Sequence, residues 1–230
     1  MGRSLHDDLI DALGGRIVAG TYAAGARLTT DRIEAEFGLS RTVVRETLRV
    51  LESMGLVSAR RSVGITVREK SDWHVYDPRL IRWRLAGPYR AEQLATLTEL
   101  RLAIEPQAAR AASRNASADQ RAELVRLADL LERTGSKADL DAFLDYDVAF
   151  HTLVLEASGN EMFASLSVVI AEVLIGRTVH HLMPDEPDPE ARRLHALVAC
   201  SVQERQGLAA ELAMRELLQE VADVLLPDSA

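Results

Sequence analysis

The sequence predicts a mainly α-helical protein, with a small N-terminal domain of two short helices and a β-hairpin followed by an all-α helical bundle. Residues 28–67 contain two short segments of helical period and then two runs that alternate as strands do. From residue 91 to residue 226 nearly every segment has helical period, and no strand-like alternation persists. We therefore expect an N-terminal domain at 1–70, a linker with a short helix at 71–90 and an all-α domain at 91–230.

The first two helices have the spacing of a helix-turn-helix. Thr30 is expected to cap a helix that turns Ile33 and Phe37 inward, and Gly38 is expected to end it. Ser40 opens a second helix that runs to about residue 53. The inner face of this second helix is predicted to consist of Val44, Leu48 and Leu51.

Arginines recur every four residues on the neighbouring face of the second helix, at Arg41, Arg45 and Arg49. After it, residues 56–59 and 65–67 alternate as a hairpin, and Gly64 can take a positive φ. An arginine stripe alone is equally typical of a solvated helix face. Together with a basic hairpin it predicts a winged helix-turn-helix domain whose guanidinium groups contact phosphates and guanine edges of DNA. The residues expected on this surface are Arg32, Arg41, Thr42, Arg45, Arg60, Arg61 and Gly64.

The charge of the chain is distributed unevenly. The first 70 residues hold 11 Lys and Arg against 9 Asp and Glu, a net charge of +2, and the remainder holds 16 against 26, a net charge of −10. The local field decides DNA binding, so the overall charge of −8 does not argue against it. The sequence shows no signal peptide and no run as long as a membrane span, which predicts a cytoplasmic protein without a membrane partner.

Beyond the hairpin, a short helix is expected from Arg79 to about residue 85, and Trp73 and Trp83 are expected to fix one domain on the other. The breaks between later helices carry ordinary helix-capping residues, such as Asp188 followed by Pro189. The bundle helices are predicted at 91–114, 118–134, 138–158, 161–182, 189–205 and 208–226.

Polar residues interrupt the apolar faces of two bundle helices. Asp147 and His151 are four residues apart and point together into apolar surroundings, and His195 on a later helix is a third candidate for the same pocket. An Asp–His hydrogen bond with an unrelated core histidine is one interpretation. A divalent metal, such as zinc, nickel or manganese, is the other.

The N-terminal motifs resemble those of the GntR superfamily of bacterial transcriptional regulators. Residues 38–48 read Gly-Leu-Ser-Arg-Thr-Val-Val-Arg-Glu-Thr-Leu, preceded by Arg32 in the first helix and followed by Leu56, Val57 and the hairpin glycine Gly64. The resemblance implies DNA contacts by Arg32, Arg41, Thr42, Arg45 and the hairpin tip. The usual proline before the first helix is Thr29 here, which changes only local rigidity.

The bundle is similar to the FCD effector domain of the FadR subfamily within that superfamily. The matching runs are Glu-Leu-Arg-Leu-Ala-Ile-Glu-Pro-Gln-Ala-Ala at 99–109, Asp-Val-Ala-Phe-His at 147–151 and His195-Ala-Leu. The resemblance implies that Asp147, His151 and His195 hold a metal and that Arg101 completes a site for a carboxylate. Together with a metal, Arg101 and Arg177 would favour a small anionic ligand, most plausibly an organic or sugar acid. The fourth metal ligand of such domains, a histidine, is Leu217 here, which leaves three ligands.

The resemblance implies a DNA-binding repressor that a small carboxylate releases from its operator, as in regulators of galactonate and gluconate use. We also expect a homodimer and a near-palindromic operator, because two-fold proteins match two-fold sites. Two alternatives stay open from the sequence. One is a metal-dependent hydrolase or lyase with an accessory DNA-binding domain, and the other is an architectural DNA-binding protein without an effector.

Overall fold

A computed structural model describes residues 4–60, 64–180 and 187–225, and within helix 207–225 the side chains of residues 221, 224 and 225 are left undescribed. The chain divides into two compact units, Met1–Arg90 and Ala91–Ala230. The predicted fold class is confirmed, because the first unit is a winged helix-turn-helix and the second is all helical.

Three helices build the core of the first unit: α1 (Leu5–Val18), α2 (Thr30–Phe37) and α3 (Arg41–Ser53). The sequence analysis assigned no element to residues 5–18, yet α1 contributes much of this core. The predicted inner face of α3 is confirmed, since Val44, Leu48 and Leu51 are all buried. The predicted cap of α2 was wrong by one residue. Thr29 is the N-cap, and its hydroxyl accepts from the amide of Arg32 at 3.3 Å.

The wing is a three-stranded antiparallel sheet in the order β1 (Arg27–Leu28), β3 (Gly64–Val67), β2 (Val57–Arg60). Strands β2 and β3 pair from Val57 opposite Val67 to Arg60 opposite Gly64. Gly64 has a φ of +85°, which confirms the predicted positive φ at the edge of the hairpin tip. The predicted tip residue Arg61 lies outside the described residues.

Residues 71–90 were predicted as a linker, but they belong to the first unit, where the short helix α4 (Pro78–Ala86) packs on α1. Helix α4 runs one residue further at each end than predicted. Trp83 faces Gly14 of α1, and its indole Nε1 donates to Oδ1 of Asp11 at 3.0 Å. Trp73 is buried in the core of the same unit. Both tryptophans therefore hold this segment onto the DNA-binding domain.

The second unit consists of helices that follow the prediction within a few residues, except at one place. A single helix was predicted at 161–182, but the chain bends at residues 165–166 and forms two helices. The second of these ends at the C-cap residue His180. Asp188 caps the next helix and Pro189 begins it, as predicted. The helices are α5 (Arg90–Asn115), α6 (Ala118–Gly135), α7 (Leu140–Ala157), α8 (Glu161–Ala164), α9 (Ser167–Val179), α10 (Pro189–Gln203) and α11 (Gly207–Leu225).

The core of the bundle lies where α6, α7, α9, α10 and α11 pack on one another, and Phe150 of α7 is fully buried in it. In the part of the chain that the structure describes, one stretch, Glu161–Val179, is long and apolar enough to cross a membrane. That stretch forms α8 and α9 here, and α9 packs on α7.

Candidate DNA-binding surface and buried polar site

The predicted DNA-facing residues that the structure describes are exposed to solvent, and Arg61 lies outside the described residues. Arg32 lies on α2, and Arg41, Thr42 and Arg45 lie in the first half of α3. A groove of about 300 Å³ separates α3 from the wing. Its lining consists of Thr30, Arg41, Arg45, Leu48, Arg49, Glu52, Ala59 and Ile65. The arginine stripe of α3 therefore faces the space between the recognition helix and the hairpin.

Only weak contacts restrain the guanidinium group of Arg41. It lies 4.0 Å from a carboxylate oxygen of Asp31 and 3.9 Å from one of Glu34, and all three side chains are at least partly exposed. Exposed ion pairs of this kind contribute about 0–1 kcal/mol. Phosphate oxygens could replace these carboxylates at little cost in free energy.

The wing is attached to the recognition helix through Glu52. Its Oε1 accepts a hydrogen bond of 2.8 Å from the backbone amide of Ala59 in β2. The adjoining residue Arg60 is exposed at the end of β2, as a wing contact requires. Ala59 pairs with Ile65 next to the hairpin tip, so this bond ties the tip end of β2 to α3.

The second candidate site is a cluster of charged and imidazole side chains inside the bundle. Helix α7 supplies Asp147 and His151, and α10 supplies His195. All three residues are buried, and their nearest ligand atoms lie within 4.8 Å of one another. The structure therefore brings the three predicted metal ligands together.

One carboxylate oxygen of Asp147 faces both imidazole rings. Its Oδ1 lies 3.4 Å from Nε2 of His151 and 3.1 Å from Nε2 of His195. The two rings contact each other edge-on, with centroids 5.5 Å apart, and Phe150 packs edge-on against both, at 5.8 Å from His151 and 5.1 Å from His195. Two Nε2 atoms and one oxygen thus converge on a common point.

Helix α5 contributes an ion pair to the same cluster. Nε of Arg101 donates to Oε1 of Glu105 at 2.5 Å, and Oε2 of Glu105 contacts Nδ1 of His151. Nη2 of Arg101 lies 3.4 and 3.3 Å from the two ring nitrogens of His151. Arg101 was predicted in the site, but Glu105, whose side chain is fully buried, was not.

Burial and neighbouring charges have opposite effects on the pKa values of the two carboxyl groups in this cluster. Burial alone would raise the pKa of Glu105, but the charges of Arg101 and His151 lower it to about 2. Burial opposes ionisation of Asp147 as well, and its hydrogen bonds with His151 and His195 hold the pKa of that carboxyl well below its usual range. Both carboxylates are therefore ionised at neutral pH.

Arg177 on α9 lies close enough to Arg101, Asp147 and Glu105 for their charges to shift the pKa of its guanidinium. Burial and the charge of Arg101 lower the pKa of its guanidinium to about 10, whereas Asp147 and Glu105 act in the opposite direction. Leu217, which stands where a fourth ligand was expected, is buried in the apolar core of the bundle. The ligand set among the described residues is therefore the three-residue group Asp147, His151 and His195.

Two protein-family models match the chain, one in each unit. The model for bacterial regulatory proteins of the gntR family matches residues 5–67. The model for the FCD domain matches residues 96–220, more than half of the chain. The first range holds the winged helix-turn-helix, and the second holds the buried polar cluster.

Curated relatives are named as transcriptional regulators. The galactonate operon transcriptional repressor of Escherichia coli is 28% identical over 209 residues, which cover 90% of each chain. The regulator LutR of Bacillus subtilis is 29% identical over 90% of this chain and 94% of its own. The gluconate operon transcriptional repressor of Bacillus subtilis is 29% identical over 62% of this chain and 50% of its own.

Solved structures share the fold. McbR/YncC of Escherichia coli has a TM-score of 0.55 and 21% identity, and Lar of Listeria monocytogenes has a TM-score of 0.62 and 16% identity; each covers the full length of both chains. The families of both units are those of DNA-binding regulators that respond to effectors, and they give no support to the enzyme alternative. The chain therefore belongs to the GntR family of bacterial transcriptional regulators and carries an FCD domain as its C-terminal domain.

Proposed function

We propose that this regulator is a repressor of genes for sugar-acid use and that a small carboxylate, such as gluconate or galactonate, releases it from its operator. The observation that carries the proposal is the buried cluster in which Arg101 and Arg177 lie near Asp147, His151 and His195. The carboxylates of Asp147 and Glu105 balance the two arginines, so a bound divalent ion would supply the positive charge that an anion needs. Relatives named as galactonate and gluconate operon repressors support the effector class. A DNA-binding regulator of this kind works in the cytoplasm.

In the DNA complex, Arg41, Thr42 and Arg45 would enter the major groove, while Arg32 would hold the backbone. Arg60, Arg61 and the turn at Gly64 would place the wing. The exposed positions in the first half of α3 support this assignment, because a recognition helix presents that half to base edges.

Substitution of Arg45 tests the DNA surface directly. Arg45→Ala should weaken binding to sites selected from random DNA by about 1–3 kcal/mol, roughly 5- to 150-fold, and relax the choice of base. Arg60→Ala should weaken binding more evenly across sequences and lower the slope of log affinity against log salt by about 1. Arg133→Ala, which removes an exposed arginine from α6, is the control. Unchanged base preference in Arg45→Ala would contradict the assignment.

We further propose that a divalent ion, zinc, nickel or manganese, binds between Asp147, His151 and His195. With metal–ligand bonds of about 2.1 Å, neighbouring ligand atoms lie about 3.0–3.4 Å apart. The separations of 3.4 and 3.1 Å from Asp147 to the two Nε2 atoms fit that requirement. Three protein ligands leave positions for the carboxylate of an effector, and Arg101 and Arg177 would bind its remaining negative charge.

Elemental analysis of purified protein, after exposure to each metal and removal of the excess, tests the site. The wild type and the control His74→Ala should retain up to one equivalent, and His151→Ala should retain none. His74 is exposed in the other unit, so its loss isolates the effect of the buried imidazole. In the metal-free alternative, Asp147 pairs with the histidines and Arg101 alone holds the anion. Absence of metal from the wild type would decide for that alternative.

We propose a homodimer that packs through the exposed face of α9 and binds a near-palindromic operator. Val168, Ile175 and Val179 are exposed on that helix, and the partly buried Glu172 is the one charged residue of α9 on the same face, since Arg177 is buried. A two-fold interface brings each residue near its own copy, so an acidic domain associates best through a face with little charge. These side chains supply part of the roughly 800 Å² per partner that a standard interface buries.

Charge placed on α9 tests the dimer. Ile175→Asp should shift the protein to monomer in sedimentation equilibrium at micromolar concentration, because two carboxylates would meet across the axis. Leu197→Asp is the matched control, since Leu197 has a similar exposure on α10, 40% against 37%. A dimer that survives the first change, or dissociates with the second, would contradict this interface.

A further inference from the structure

Glu105 is a fully buried carboxylate with both oxygens engaged. Oε1 accepts from Nε of Arg101 at 2.5 Å, and Oε2 contacts Nδ1 of His151. Arg101 is itself only 2% exposed, so water does not weaken the pair. The three side chains form one connected chain from α5 to α7.

The chemistry of these groups fixes the direction of each hydrogen bond. Arginine has only donors and an ionised carboxylate has only acceptors, so Nδ1 of His151 must carry the proton in its contact with Glu105. Oδ1 of Asp147 also only accepts, so a cationic ring would donate to both carboxylates. In the neutral ring the single proton goes to Nδ1, because that nitrogen makes the shorter contact, and this leaves Nε2 unprotonated. That atom lies 3.4 Å from Oδ1 of Asp147, on the side where the ligand atoms converge.

His195 is held in the same tautomer by a different group. Its Nδ1 lies 2.7 Å from the backbone carbonyl of Ala191, which can only accept, and its Nε2 faces Asp147 at 3.1 Å. This backbone carbonyl lies one turn earlier in α10 and is present whatever the side chain of residue 191. Only His151 depends on a side chain for its tautomer.

We propose that Glu105, held in place by Arg101, is a positioning residue that fixes neutral His151 as the Nδ1–H tautomer and so leaves Nε2 free to bind an ion. The effect on metal affinity rests on the proposed metal site, whereas the tautomer belongs to the protein alone. Loss of such an outer hydrogen bond lowers metal affinity by about 10–100-fold.

Nitrogen-15 NMR of the imidazole rings in metal-free protein, at a pH where they are neutral, measures the tautomer, with His151→Ala assigning the signals. Wild-type His151 should show a protonated Nδ1 and an unprotonated Nε2. In Glu105→Gln the amide can donate as well as accept, so both tautomers should be populated. Zinc affinity, measured by competition with a chromophoric chelator, should fall about 10–100-fold in this variant.

The single change also leaves Arg101 buried without its counter-charge, which by itself disturbs folding. The double variant Arg101→Met with Glu105→Gln removes both charges at similar volume. A merely structural ion pair predicts that the double variant recovers wild-type zinc affinity. A positioning role predicts that it folds yet keeps the mixed tautomer and the weaker affinity.

Glu123→Gln is the control, because it removes an exposed, arginine-paired glutamate from α6 and should change neither measurement. A single Nδ1–H tautomer with unchanged zinc affinity in the double variant would overturn the positioning role. If wild-type protein binds no zinc, the proposed metal site fails, and the NMR comparison still decides whether Glu105 sets the tautomer.

Discussion

Replacing Gly14 by alanine should destabilise the DNA-binding unit, although alanine is the better helix former. A Cβ atom at residue 14 would lie 2.3, 2.4 and 2.8 Å from three ring carbons of Trp83, so the indole would have to move. Its hydrogen bond to Asp11, 3.0 Å long, resists that movement. Overpacking costs about 1–3 kcal/mol, loss of the bond to a carboxylate adds about 1.5–3 kcal/mol, and helix propensity returns about 1 kcal/mol. The free energy of unfolding should fall by about 1.5–5 kcal/mol.

Gly15→Ala is the matched control, because a Cβ atom there meets nothing within 4 Å and the same helix should gain up to about 1 kcal/mol. The two tryptophans of the sequence are Trp73 and Trp83, both in the first unit, so fluorescence during urea titration reports the unfolding of that unit. Equal stabilisation by the two substitutions would refute the packing of α4 on α1.

Two further predictions concern other close-packed positions. Leu217→His should raise metal retention above that of the wild type in elemental analysis by adding a fourth ligand, whereas Leu218→His, an equally buried neighbour, should not. No gain in the first variant would count against a ligand position at residue 217. Gly55→Ala should lower the urea midpoint of the first unit more than Gly25→Ala does. Both glycines have positive φ, but only at Gly55 would a Cβ atom meet a backbone oxygen, at 2.2 Å. Equal decreases in the urea midpoint for Gly55→Ala and Gly25→Ala would show that the positive φ, and not the close backbone oxygen, causes the loss of stability.

Periodicity was sufficient to predict most helices and the wing. The apolar stripe of α3 gave its inner face, and the spacing of Asp147 and His151 placed both on one side of α7. Two threonines in succession made the cap of α2 ambiguous by one residue, because either hydroxyl could accept the hydrogen bond. Residues 161–182 contain no internal glycine or proline before Gly176, so nothing in the local pattern indicated the bend between α8 and α9.

Tertiary contacts decided the features that the sequence did not reveal. Glu105 resembles any solvated helix carboxylate until its neighbours are known, and the only local signal was its i, i+4 spacing from Arg101. Similarly, residues 71–90 read as a linker, because the packing of Trp83 on Gly14 joins positions almost 70 residues apart in the chain. Local propensity carries no information about such contacts.

Helix α5 runs from the boundary between the two units to the buried polar cluster. It begins at Arg90, the last residue of the first unit, and reaches Arg101 before the turn in which Pro106 cannot donate a backbone hydrogen bond to the carbonyl of Leu102. At a rise of 1.5 Å per residue, Arg101 lies about 16 Å along the axis from Arg90. A continuous helix of that length is stiff. A ligand bound at Arg101 would therefore contact the same helix that begins at the boundary of the DNA-binding unit.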